Sequence, residues 1–215
     1  MSVLTSPAEQ RVVLQSVDWS TYEALVSRPE SRHNRIAYDK GWMEIMSPSR
    51  LHERSGSLIG RLIEIFTMEL AIEVESVAST TFKCEEKARG FEADESYYIE
   101  HAEDVRGLDE IDLTIHSAPD LVIEVDLSRS SMGKFGIYGS LGVAEVWLYD
   151  GLQVRVFAHA EGEQYDSVLS SRVLPQFPVE EVHDWLIQAE SLGETQMALA
   201  FRESVRERFV PVDPT

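Results

Sequence analysis

The most regular pattern in the chain runs from Leu51 to Leu70, where Leu51, Ser55, Leu58, Ile59, Leu62, Phe66 and Leu70 recur at helical spacing. Ser47-Pro48-Ser49 stands ahead of this stripe as a start signal, so the spacing predicts a long helix to about Leu70, packed on a sheet. At 100° per residue, His52 falls on the flank of the stripe and Glu53 points nearly opposite it. The strongest strand signal is LVIEVDL, Leu121–Leu127, apolar at nearly every position apart from Glu124 and Asp126.

Weaker patterns fill in the rest. Residues 1–17 read as an irregular or weakly paired lead-in, and Asp18–Val26 as a short helix capped by Asp18 or Ser20. Arg35–Tyr38 and Trp42–Met46 flank Asp39-Lys40-Gly41, a hairpin signal in which Gly41 supplies a positive φ. Strands are expected near Ile72–Ala78, Thr80–Cys84 and Ser96–Ile99, with a polar loop over Asp104–Asp112. Ser128–Gly142 reads as helical with glycine interruptions. Val143–Tyr149 and Leu152–Ala158 form a hairpin about Asp150-Gly151, and Glu163–Leu169 is an expected edge strand. Val179–Glu190 and Glu194–Phe209 close the chain as helices. There is no internal repeat and no linker long enough to split the sequence. The expectation is one α/β domain over residues 1–215, a central mixed β-sheet flanked by helices.

Composition narrows the function classes. Hydrophobic residues make up 43% and charged residues 27% of the 215, enough to build a sizeable core. The single cysteine, Cys84, excludes an intrachain disulfide and fits a reducing compartment. The first residues lack a basic segment followed by an apolar one, and no run of about 18 apolar residues occurs, so a cytoplasmic protein without a membrane span is expected. The net charge of −19 argues against casual nucleic-acid binding, which is driven by Lys and Arg releasing counterions. His101, His116, His159 and His183 lack ligand spacing, and neither a Gly-x-Ser-x-Gly nor a Walker-type loop is present.

Acids inside an apolar strand carry the candidate chemistry, because an unpaired buried carboxylate is expensive. Side chains alternate along a strand, so Asp120, Glu124 and Asp126 share one face, and Leu121, Ile123 and Val125 fill the other. Glu124 and Asp126 stand roughly 6–7 Å apart along the strand, Asp120 and Glu124 roughly 13 Å. A shared metal ion is therefore better served by a second carboxylate from a neighbouring strand, and Asp94 in GFEADESYYI is the natural choice. Two carboxylates hold Mg²⁺ through hard oxygen ligands, and a nearby lysine stabilises charge developing on a phosphate. Lys134, in SSMGKFGIY, follows the Glu124 strand closely enough to reach back over it. Bland roles compete with these: Pro119-Asp120 is a common turn device, His52 a packed or capping residue, Glu53, Asp126 and Lys83 ordinary surface charges, and Cys84 a small core residue.

Four stretches in this order, RIAYDKGWMEIMSPSRLHE, STTFKCEEKARGFEADESYYI, APDLVIEVDLSRSSMGKFGIYGSLGVAEVWLYDG and FRESVRERF, resemble the Uma-two-type branch of the PD-(D/E)XK nuclease superfamily over residues 35 to about 209. The resemblance implies a restriction-endonuclease-like fold, a DNA substrate, Mg²⁺ with Mn²⁺ as a substitute, and a homodimer. It also assigns roles. Asp94 matches the first metal-binding acid, although Ala93 replaces the proline usual before it, and Glu124 matches the second. The lysine expected two residues after that glutamate is Asp126 here, and Lys134 matches a lysine displaced to the following helix. Asp120 is expected as a further metal ligand and His52 as a supporting group. The first reading is thus a Mg²⁺-dependent endonuclease. The second is an inactive nuclease fold serving interaction or regulation, which the charge and Asp126 favour, and a third is a hydrolase of small phosphorylated substrates.

Overall fold

A computed structural model describes residues 9–127 and 133–210. The chain forms two sheets. An antiparallel one has the order β1 (Gln10–Leu14), β3 (Trp42–Ser47), β2 (Arg35–Asp39), β6 (Arg89–Glu92), β5 (Thr81–Cys84). The other is mixed, in the order β11 (Tyr165–Val168), β10 (Val154–His159), β9 (Glu145–Tyr149), β8 (Leu121–Val125), β7 (Glu95–Tyr98), β4 (Glu75–Ser76). Its one parallel pair is β8 with β9, joined through α4 (Phe135–Leu141). This is the expected mixed sheet flanked by helices; the hydrophobic pattern alone does not separate the second sheet from it.

The long helix α2 (Arg50–Glu69) begins where its stripe predicts, with Ser49 Oγ accepting from the amide of His52. Leu58, Ile59, Leu62, Ile63 and Phe66 pack on Tyr97, Leu121, Ile123, Val125 and Trp147, together with Leu186, Met197 and Phe201 of α5 (Val182–Leu192) and α6 (Glu194–Phe209). Each such buried side chain contributes about 1.5–3 kcal/mol of transfer free energy. The stripe is rotated from its predicted centre: Leu51 is exposed and His52 fully buried. The other face of β8 packs Val122 with Phe82, Phe91, Ile137 and Tyr138 of β5, β6 and α4. With both faces covered, β8 is apolar at nearly every position.

Helix α1 (Trp19–Val26) is capped by Asp18, whose Oδ1 accepts from Thr21 N at 2.7 Å. The β2–β3 hairpin turns through Lys40 and Gly41, both at positive φ. Three expectations shift. Ile72–Ala78 shrinks to β4, because Ala71 and Ala78 adopt positive φ at either side of it. The polar stretch after Ile99 contains a short helix, α3 (Ala102–Val105). The lead-in contains β1, paired antiparallel with β3 from Gln10↔Ser47 to Leu14↔Met43. Of the predicted helix 128–142, residues 128–132 lie outside the described residues, and the remainder is α4, ended by Gly142 at φ +94°. No described helix is long and apolar enough to cross a membrane.

Candidate active site

The chain passes from the antiparallel sheet to the mixed one at Ala93-Asp94, between the end of β6 and the start of β7. Strand β7 runs antiparallel to β8 with Glu95 opposite Ile123, so extending that register sets Asp94 opposite Glu124. The carboxylate of Asp94 takes over part of the ladder. Its Oδ2 accepts from Val125 N at 2.8 Å, while its own amide donates to Ile123 O at 3.2 Å. Gly56 of α2 lies against it, and a Cβ there would stand 3.5 Å from the Asp94 Cβ.

Glu124 points toward α4, where the helix and its N-cap residue, Lys134, supply its partners. Lys134 Nζ donates to Oε2 at 2.8 Å and the Tyr138 hydroxyl donates to Oε1. The two donors are four residues apart and so share one helix face. Gly139 lets α4 approach the backbone at Glu163, since a Cβ there would come within 2.6 Å of the Glu163 carbonyl oxygen. Glu124 and Lys134 line an open cleft of about 170 Å³ with Arg11, Asp126, Tyr138 and Val146.

A second group of charges surrounds Asp94. His52 Nε2 stands 2.8 Å and Arg35 Nε 3.4 Å from Oδ1. Arg35 also reaches Glu53 at 3.1 Å, and His52 Nδ1 lies 2.5 Å from Glu9 Oε1. Arg11 pairs with Glu44, Glu9 and Asp126 at 3.1, 3.3 and 3.6 Å. Burial pushes the Asp94 carboxyl up, but His52, Lys134 and the Val125 amide outweigh it and hold it below the usual range. For Glu124 burial wins over Lys134, and the charge of Asp94 adds to it, so its carboxyl is raised. Burial lowers Lys134, but Glu124 and Asp94 reverse that and keep it an ammonium.

Of the predicted residues, Asp94, Glu124, Lys134 and His52 are brought into this one network. Asp120 is not, which corrects its expected place among the metal ligands. It precedes β8 at the far end of the strand, where its Oδ2 accepts from the amides of Ile99 and His101 at 2.7 and 3.1 Å and its Oδ1 meets His101 Nδ1 at 2.6 Å. Lys83 pairs with Glu23 at an exposed position. Sequence reasoning missed Glu9, Arg11, Arg35 and Tyr138, whose only local signal was the i, i+4 spacing of Tyr138 from Lys134.

The donor set suits a hard divalent cation. Among the described residues no three His, Cys, Asp or Glu side chains converge as a ligand group. Mg²⁺, however, keeps several waters and needs only one or two carboxylates besides its substrate. Asp94 Oδ1 is a buried carboxylate oxygen without an aligned hydrogen bond, although two cationic groups stand near it. A carboxylate has about four lone-pair sites, so the protein donors leave acceptor capacity on both acids.

No curated protein matches the sequence. A solved structure described as "a putative nuclease belonging to DUF820", from Anabaena variabilis, is similar at 14% identity and a TM-score of 0.48, over 70% of this chain and 90% of that one. The model of the Uma2 family, described as "Putative restriction endonuclease", matches residues 19–190, a span that holds Arg35, His52, Asp94, Glu124, Lys134 and Tyr138. The chain belongs to the Uma2 family.

Proposed function

We propose that this chain is a restriction-endonuclease-like enzyme that hydrolyses DNA phosphodiester bonds with Mg²⁺, or Mn²⁺ in its place, held by Asp94 and Glu124. The observation that carries this is the pair of buried acids, Asp94 just before β7 and Glu124 in β8, with the Lys134 ammonium on one of them. A divalent ion bound there supplies Lewis acidity and positive charge to a phosphodiester. Lys134 stays protonated, so it acts through charge and N–H donation toward a phosphoryl oxygen or an attacking water, not as a base. Tyr138 fixes the other oxygen of Glu124. The cations lining the cleft, Arg11 and Lys134, are both paired with acids, which leaves most of the neutralisation of phosphate to the metal. The single buried cysteine fits a cytoplasmic setting, and two-fold pairing of chains suits cleavage of both strands of a duplex.

Incubation of purified protein with supercoiled, linear and single-stranded DNA tests this. Cleavage that needs Mg²⁺ or Mn²⁺ and is lost in Glu124→Ala is expected. No cleavage of any form, or unchanged cleavage by the variant, contradicts it. The net charge of −19 favours the second reading, a nuclease-derived module acting through protein partners, and the first of those negative results would support it.

A further inference from the structure

Helix α4 is poorly built to hold Lys134 and Tyr138 in place by itself. It has seven residues, two of them glycine, and its N-cap residue, Lys134, makes no side-chain capping bond. Isolated helices shorter than about 12–15 residues are marginal, and each glycine costs about 1 kcal/mol relative to alanine. Arg89 of β6 supplies an anchor from outside. Its Nη1 donates to the Gly136 carbonyl in the first turn of α4 at 2.8 Å and stands 2.7 Å from Glu163 Oε1, while its Nε donates to Asp39 Oδ1 at 2.7 Å. Asp39 lies opposite Arg89 in the β2–β6 ladder, so the sheet itself aims the guanidinium. The Arg89 side chain is only 7% exposed, and a buried charge is costly unless it is paired and hydrogen-bonded, as this one is.

We infer that Arg89 is a positioning residue: by clamping the Gly136 carbonyl to the antiparallel sheet it fixes the first turn of α4, and so sets Lys134 and Tyr138 on the two oxygens of Glu124. Its effect on cleavage rests on the nuclease reading above; its effect on the Lys134–Glu124 contact does not. Gly136 stands two residues after Lys134 and two before Tyr138, so a shift of its carbonyl moves both donors together. A guanidinium stays charged and presents its donors in a rigid fork, which lets one side chain hold a helix carbonyl and two carboxylates at once. A lysine keeps the charge but lacks the fork. Lys87, just before β6, donates to the Ser140 carbonyl near the other end of the same helix, so the anchoring comes from one short segment, residues 87–89. Misplacing a reacting group by about 1 Å can cost about 100-fold in rate, which is why such an anchor matters to chemistry it does not touch.

The test is ¹⁵N spectra of the Lys134 ammonium and the Arg89 guanidinium, with Mg²⁺-dependent cleavage, in wild type and Arg89→Lys. Wild type is expected to show a Lys134 Nζ signal protected from solvent and Arg89 Nη signals resolved by hindered rotation. Arg89→Lys is expected to keep its circular-dichroism spectrum, to lose the protected Lys134 signal to solvent exchange, and to lower kcat by about 10–100-fold with KM within about threefold. An unchanged Lys134 signal, or an unchanged kcat, in Arg89→Lys overturns the inference alone. So does a freely rotating Arg89 guanidinium in the wild type, a readout that needs no variant to fold. Absence of cleavage by the wild type, with the protected Lys134 signal lost in Arg89→Lys, overturns the nuclease reading and supports the positioning of Lys134 by Arg89.

Discussion

The two ends of β8 use buried acids in opposite ways. At its entrance Asp120 is surrounded by the amides of Ile99 and His101 and by the half-exposed His101 ring. On the neighbouring strand, opposite Leu121, Glu145 takes neutral donors: Trp147 Nε1 at 2.6 Å, Ser171 Oγ at 2.5 Å and Arg172 N at 2.7 Å. These carboxylates tie loops to the sheet. At the exit, Glu124 faces a second acid, Asp94, and the compensation comes from an ammonium, an imidazole and a guanidinium. Burial, with the charge of Asp94 adding to it, raises Glu124, while His52 and Lys134 hold Asp94 below its usual range against burial. Loop anchoring needs no such pair; the proposed cation site would use one.

The largest expected effect that separates the two ends is on activity. Glu124→Ala is predicted to slow Mg²⁺-dependent plasmid nicking by about 10²–10³-fold, while Asp120→Asn leaves the rate at the wild-type level; equal losses would erase the distinction. Next is Lys134→Met, which strands Glu124 without its ammonium. Urea denaturation at pH 8 should show a loss of about 3–5 kcal/mol. Because burial has already raised the Glu124 carboxyl, the loss should shrink at pH 5 as the carboxyl takes up a proton. An equal loss at both pH values would contradict this assignment. Asp120→Ala is expected to cost about 1–3 kcal/mol by leaving the Ile99 and His101 amides unsatisfied, with no change in Mn²⁺ affinity.

The smallest effect belongs to Glu95, which burial, with Glu64 and Asp94 adding, pushes from the usual 4.5 to about 7. Its folded-state value lies above the unfolded one, so the folded chain retains a proton that the unfolded chain releases. Stability therefore falls as pH rises from 4.5 to about 7. Glu95→Gln should remove that slope and raise Tm by about 2–4 °C at pH 8, measured by thermal denaturation. A variant with the wild-type slope would assign it to another group.

What the sequence disclosed divides along the same line between local and distant causes. The α2 stripe, the Lys40-Gly41 hairpin and the apolar run of β8 were legible because periodicity and turn chemistry act over a few residues. Strand β6 was not, since RGFE lacks alternation and its Gly90 answers a tertiary demand: a Cβ there would meet the Tyr22 hydroxyl at 2.1 Å. Strand β1 hid itself by burying charge and exposing valine and leucine. In the site, Asp94, Glu124 and Lys134 were named from segment order and family resemblance. Arg35, Tyr138 and Glu9 meet them only through folding, and no spacing rule marks such meetings. Asp120 was misplaced because alternation states which face a residue occupies, not which partners wait there.

The most direct measurement of the central claim is calorimetric titration of Mn²⁺ into wild type, Asp94→Asn, Glu124→Gln and Asp120→Asn at one pH. The account predicts binding by wild type and Asp120→Asn and its loss in both of the other variants. Wild-type affinity in Asp94→Asn or Glu124→Gln, or its loss in Asp120→Asn, would show that Asp94 and Glu124 are not the cation site.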